Sequence, residues 1–209
     1  MQGHSWLDPI TAAAFLDDLA AQEFQRCQES VVFVSANITA WTPDILKWHQ
    51  PQKGPLLIQE LHLGDEGAKK LRIEALARGY HTFLPPVEGP RPTKGGLATL
   101  VPIHQQGRFR GGYLSDEGIG FLLVELPRVR HSLLLVNLYL KSGVGITGAP
   151  NPEVLARLKP LLRQNSNWIV VGDWNFPSQE LAETSLPEAF RGRIVAPPEA
   201  TITTGNCLE

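Results

Sequence analysis

The chain has 209 residues, 43% of them hydrophobic and 19% charged, the balance of one soluble domain with a sizeable core and not of a disordered or fibrous segment. Its formal net charge of −2 excludes the global positive field of a small basic nucleic-acid-binding domain, so contact with a polyanion must come from local patches. No apolar run of about 18 residues is present to span a membrane, Met1 to Pro9 carry polar groups where a secretory leader would be apolar, and Cys27 and Cys207 are too isolated for a zinc site or a disulfide framework. An intracellular protein without membrane attachment is expected.

Asp8-Pro9 pairs an N-cap with a proline at the first helical position, and Ala, Leu and Phe recur at helical spacing to Cys27, which predicts a helix. VVFVSAN, from Val31 to Asn37, is short and β-branched, the pattern of a strand buried on both faces. Thr42-Pro43-Asp44 then opens a brief helix, LLIQE from Leu56 to Glu60 reads as a second buried strand, and Gly64 to Arg78 forms a helix stopped at Gly79. A strand near Tyr80 to Leu84 leads into a proline-rich surface loop from Pro85 to Lys94. GGLATLVPI, IGFLLVEL and HSLLLVNLYL give three further strands, with a tight hairpin region expected between the first two, near Gly107 to Gly118. Asn151-Pro152 repeats the cap-and-proline start, with Val154, Leu155, Leu158, Leu161 and Leu162 on one face; Pro160 is expected to kink that helix or end its first half. WIVVGDWN returns to strand. The pattern is one α+β domain over residues 1–209, with residues 1–29 as a helical extension and two packed sheets flanked by helices.

Polar residues stand where apolar strands end: Asn37, Glu60, and Asp173 with Asn175. A sheet holds such positions rigid while their side chains emerge into a cleft, the precision that metal-assisted displacement requires. Glu60 can hold a hard divalent cation, since magnesium takes one or two carboxylates plus waters and phosphate oxygens. Asp173 can orient or deprotonate a water, Asn175 can donate to a phosphate, and Tyr139 can contact the phosphate or the leaving oxygen. Any one of these alone reads more readily as a solvated or helix-capping residue.

In chain order, SAN (Ser35 to Asn37), IQE (Ile58 to Glu60), GGLATL (Gly95 to Leu100), NLY (Asn137 to Tyr139) and GDWN (Gly172 to Asn175) resemble the motifs of the endonuclease/exonuclease/phosphatase family. That resemblance implies a four-layer α/β/β/α sandwich of two mixed sheets with a cleft at one edge. It implies that Glu60 binds magnesium, with manganese able to substitute, that Asn37 supports the metal carboxylate, that Tyr139 and Asn175 contact phosphate, and that Asp173 positions the attacking water. Asn137 and His62 are further candidates for phosphate contact, His62 because family members carry a similar Gln-Glu-x-His run. Two departures stand out. Thr39 replaces an acidic residue or asparagine, and no Ser-Asp-His motif follows Thr201, so the last strands and the final catalytic segment are expected to be missing from TITTGNCLE onward.

A nucleic-acid partner, DNA before RNA, would be tracked by Lys94, Arg108 and Arg110, with Arg128, Arg130 and His131 as a second basic group and Trp41 and Trp48 as stacking surfaces. Endonucleolytic cleavage of DNA is the leading expectation. A small or lipid phosphate ester as substrate and an inactive binding domain are the alternatives.

Overall fold

The structure, a computed structural model, describes residues 32–51, 54–128 and 131–195, the Trp48 side chain excepted. The helix expected up to Cys27, the extension over residues 1–29 and the segment TITTGNCLE lie outside the described residues.

The short apolar runs form two four-stranded sheets. In the first, β1 (Val34–Asn37), β2 (Leu56–Gln59), β4 (Leu97–Pro102) and β3 (Tyr80–Phe83) lie side by side in that order; β1 and β2 are parallel and the other pairs antiparallel. In the second, β5 (Arg108–Leu114), β6 (Gly120–Leu126), β7 (Leu133–Tyr139) and β8 (Trp168–Asp173) follow sequence order, and the pair β7 and β8 is parallel. Parallel neighbours need a crossover. The one between β1 and β2 carries the short helix α1 (Ile45–Trp48), and the one between β7 and β8 carries α3 (Asn151–Arg163). Helix α2 (Asp65–Ala77) connects β2 to β3, and α4 (Ser178–Ala182) and α5 (Leu186–Phe190) follow β8.

Successive strand residues point to opposite faces, which sorts the side chains into layers. Phe121, Leu123, Leu134, Val136 and Leu138 of the second sheet pack on Val154, Leu155, Leu158 and Leu162 of α3. The intervening Leu122, Leu135 and Asn137 are fully buried toward the first sheet, which presents Leu57 and Leu97 to them. On its other face the first sheet packs Leu56, Ile58 and Leu100 against Ala68, Leu71 and Ala75 of α2. Each fully buried leucine contributes roughly 1.5–3 kcal/mol of transfer free energy, so these facing rows hold the layers in the order α/β/β/α. Among the described residues no helix is long and apolar enough to cross a membrane.

Three expectations are corrected. The segment expected to be a tight hairpin over Gly107 to Gly118 is a seven-residue strand, β5, followed by a turn closed by Gly118 N–H donating to the Ser115 carbonyl at 2.9 Å. Its arginines and paired glycines have the composition of a turn, but they suit an edge strand with a bulge between Phe109 and Gly111. Helix α3 does not end at Pro160 but runs on to Arg163, its last turn anchored by the buried Leu158 and Leu162, which overturns only the second of the two alternatives for that proline. Asn151 is not the N-cap of that helix: Pro150 occupies the cap, and the buried Asn151 amide accepts from Lys141 N at 2.8 Å and donates to the carbonyls of Lys141 and Gly145 at 3.1 and 2.9 Å. It braces the loop that leaves β7.

Candidate active site

The parallel pairs β1/β2 and β7/β8 bring four chemically able residues to one end of the sandwich. Asn37 ends β1, Glu60 follows β2 directly, and Tyr139 and Asp173, register partners, end β7 and β8. The amide of Asn37 lies between the two carboxylates, donating to Asp173 Oδ2 at 2.6 Å and to Glu60 Oε1 at 3.2 Å. The Tyr139 hydroxyl donates to the same Glu60 oxygen at 3.1 Å, so the cluster crosses from one sheet to the other. His62 Nε2 lies 3.9 Å from the second Glu60 oxygen.

Backbone strain is concentrated here. Among the described residues five non-glycine residues have left-handed φ, and three of them, Glu60 (59°), His62 (51°) and Asn175 (57°), belong to this cluster. Such conformations cost of order 1 kcal/mol or more and persist only where their surroundings enforce them. Leu61 N–H donates to Gly96 O at 3.3 Å and His62 N–H to Gly95 O at 2.7 Å, clamping the bend that turns Glu60 out of its strand. Gly95 itself adopts φ 58°, and a Cβ there would meet Gly118 O at 2.7 Å and the Tyr139 ring at 3.0 Å, so the rim can pass this point only as glycine. At Asn175 the backbone N–H donates to Asp173 Oδ1 at 3.0 Å, and its side-chain amide donates to Leu140 O at 2.7 Å.

Burial sets the electrostatics. Asp173 is 8% exposed. Its carboxyl is held above the usual carboxylate range by burial first and by the Glu60 charge as well, against the opposing hydrogen bonds from Asn175 and Asn37. The Tyr139 phenol is pushed far up, again by burial and then by Glu60, which keeps it a donor at every physiological pH. The site thus pairs a carboxylate with raised proton affinity and a phenol that stays protonated.

The other candidates divide between the two ends of the second sheet. His62 and Lys94 are exposed at the Glu60 end, where Lys141, not singled out by the sequence, joins them and pairs with Glu117 at 2.7 Å. Arg108 pairs in register with Glu125, which pairs with Leu134 at the start of β7, and Arg110 forks onto the Glu125 carboxylate. Five residues of strand separate them from Tyr139, roughly 17 Å at the usual strand rise, so Arg108 and Arg110 do not join the carboxylate cluster. Arg128 and His131 sit at that same far end, in the connection between β6 and β7, and Arg130 is outside the described residues. Asn137 is corrected. It is fully buried between the sheets and bonded there, with no path to a phosphate in the cleft. Trp41 donates to Glu74 at 3.4 Å and packs on the first sheet's core, and Thr39 is exposed beyond β1. Sequence reading missed Gln59, the partner of Asn137; its signal was an amide on the inward face of an otherwise apolar strand, LLIQ.

For a hard cation the donor set is the carboxylates of the part-exposed Glu60 and the buried Asp173, with the amide oxygen of the exposed Asn37. Among the described residues no three His, Cys, Asp or Glu side chains converge into a ready cage. Two carboxylates with an amide suit a hard cation of the magnesium class, which keeps several waters and takes few protein ligands.

No protein-family model matches the chain, and no curated protein matches its sequence. Its structure is similar to a humanized D. rerio TDP2 carrying 14 mutations, at 16% identity and TM-score 0.48, over 73% of this chain and 65% of that one. It is similar to the endonuclease domain of TRAS1, a telomere-specific non-LTR retrotransposon, at 17% identity and TM-score 0.48, over 72% of this chain and 61% of that one. A third, the 3′ phosphatase NExo from Neisseria bound to a product DNA hairpin, matches at 14% identity and TM-score 0.48, over 70% of this chain and 58% of that one. The chain spans less than two thirds of the length of each.

Proposed function

We propose that this chain hydrolyses phosphodiesters with a divalent cation of the magnesium class, and that its substrate is DNA. The observation that carries the reading is the Asn37 amide held between the Glu60 and Asp173 carboxylates at the joined ends of two sheets, with Tyr139 on the same Glu60 oxygen. Two anions and a fixed donor, strained into one cleft, have little structural purpose and suit a site that receives a cation and a phosphate.

Glu60 and Asp173 would hold the cation, which when bound neutralises phosphate charge as a Lewis acid. Asp173, with its raised proton affinity, takes the proton of the attacking water, and Asn175 N–H keeps its second oxygen oriented. Tyr139 donates to a phosphate oxygen once the phosphate displaces it from Glu60. Asn37 fixes both carboxylates, and the second proton of the Asn175 amide is free to reach a phosphate while the first stays on Leu140 O.

Supercoiled plasmid incubated with magnesium tests this. Conversion to nicked circle by the parent, abolished by EDTA and lost in Glu60→Ala, is the expected result. An unnicked plasmid together with phosphate release from a small ester would move the substrate to that class, and no hydrolysis of either would refute the reading.

A further inference from the structure

Between the two sheets, in a layer that is mostly apolar, lies a polar cluster that the hydrolytic reading leaves unused. Asn137 on β7 is fully buried; its oxygen accepts from Gln59 Nε2 at 2.6 Å, and its nitrogen donates to the carbonyls of Ile58 and Ala98 at 3.0 and 2.9 Å. Gln59, 1% exposed on β2, also donates to Ser35 Oγ at 3.2 Å. One side chain of the second sheet is therefore tied to β2 and β4 of the first, and through Gln59 to β1.

We propose that Asn137 and Gln59 are positioning residues, an inter-sheet pin that sets how the two half-sites face each other. The catalytic meaning of the pin rests on the proposed function; its geometric meaning does not. Rows of leucine attract without direction, and such layers tolerate sliding and repacking at modest cost. A buried amide bonded through both its oxygen and its nitrogen, as Asn137 is, favours one arrangement. The position of the pin matters: Gln59 immediately precedes Glu60, and Asn137 lies two residues before Tyr139. A slip of the sheets is transmitted directly to the Tyr139–Glu60 contact of 3.1 Å, which spans them. A misplacement of about 1 Å at a reacting centre can cost roughly 10²-fold in rate.

The double variant Gln59→Leu/Asn137→Leu removes both ends of the Gln59–Asn137 bond together, which costs folding less than removing one; Ile58 O, Ala98 O and Ser35 Oγ each lose one donor, and the geometry of the site separates the pin from plain stabilisation. Its Tm, its crystal structure and its Mn²⁺ affinity by EPR titration are compared with those of the parent chain. The expected result is retained folding with both sheets intact, a broken Tyr139–Glu60 contact, and Mn²⁺ binding weakened about 10- to 100-fold, the range for residues that orient metal ligands. An undisturbed Tyr139–Glu60 and Asn37–Asp173 geometry in the double variant overturns the proposal. If that variant does not fold, Gln59→Met, which removes one amide and keeps Asn137, is judged on the same two contacts. A parent that binds no Mn²⁺ and leaves phosphodiesters intact would defeat the proposed function, and the crystallographic comparison would still decide the pin.

Discussion

Asp173 is nearly closed to solvent, and the proposed function requires it to carry charge. Burial and Glu60 raise its proton affinity in the folded chain, so folding favours the protonated acid. The stabilising contribution of that group is complete below its ordinary range near 3.8 and is lost as pH rises through the higher folded value. At neutral pH the ionised carboxylate therefore strains the fold, and Asp173→Asn is expected to raise Tm at pH 7.5, with the gain shrinking toward pH 4, while hydrolysis falls about 10²- to 10⁴-fold, the scale of a lost general base. A Tm that drops at pH 7.5 would contradict this. Tyr139→Phe removes a donor and no bulk; steady-state kinetics should show kcat reduced about 10²-fold with KM little changed.

At the scale of elements, β8 depends on a close approach that only glycine permits. Gly172, at φ 146°, lies so near Leu138 that a Cβ would collide with the Leu138 carbonyl oxygen in the β7–β8 pairing. Gly172→Ala is expected to lose about 2–3 kcal/mol in urea unfolding, combining overpacking with an unfavourable φ. Strands buried on both faces, such as LLIQ and GFLLVEL, were legible in the sequence because nothing else makes so short an apolar run. Glu60 and Asp173 were legible for a related reason, as charges at the end of such runs. Strand β5 was not, because an edge needs no apolar alternation, and RFRGGYL has the composition of a turn. The bond from Gln59 to Asn137 joins residues 78 apart on different sheets, and no local pattern encodes it.

For the whole molecule, the basic groups named from the sequence lie at opposite ends of the second sheet. If substrate is held where the carboxylates are, Lys94→Ala should lower the slope of log affinity against log salt by about one, the loss of one phosphate contact, while Arg108→Ala and Arg110→Ala leave both slope and cleavage unchanged. Fluorescence anisotropy with labelled duplex across a salt series measures this, and an equal effect from the far-end arginines would mean that the duplex runs along the whole sheet.

The bond between Asn37 and Asp173 closes over 136 residues, whereas Asn37 and Glu60 are only 23 apart. A ribosome adding about 5–20 residues per second exposes the Asn37–Glu60 half many seconds before the Asp173 half. Until the end of β8 has cleared the exit tunnel, a nascent chain holds Glu60 without its partner carboxylate, Asp173. If the proposed function holds, a chain assembled in this order cannot cleave before β8 has emerged and the two sheets have closed.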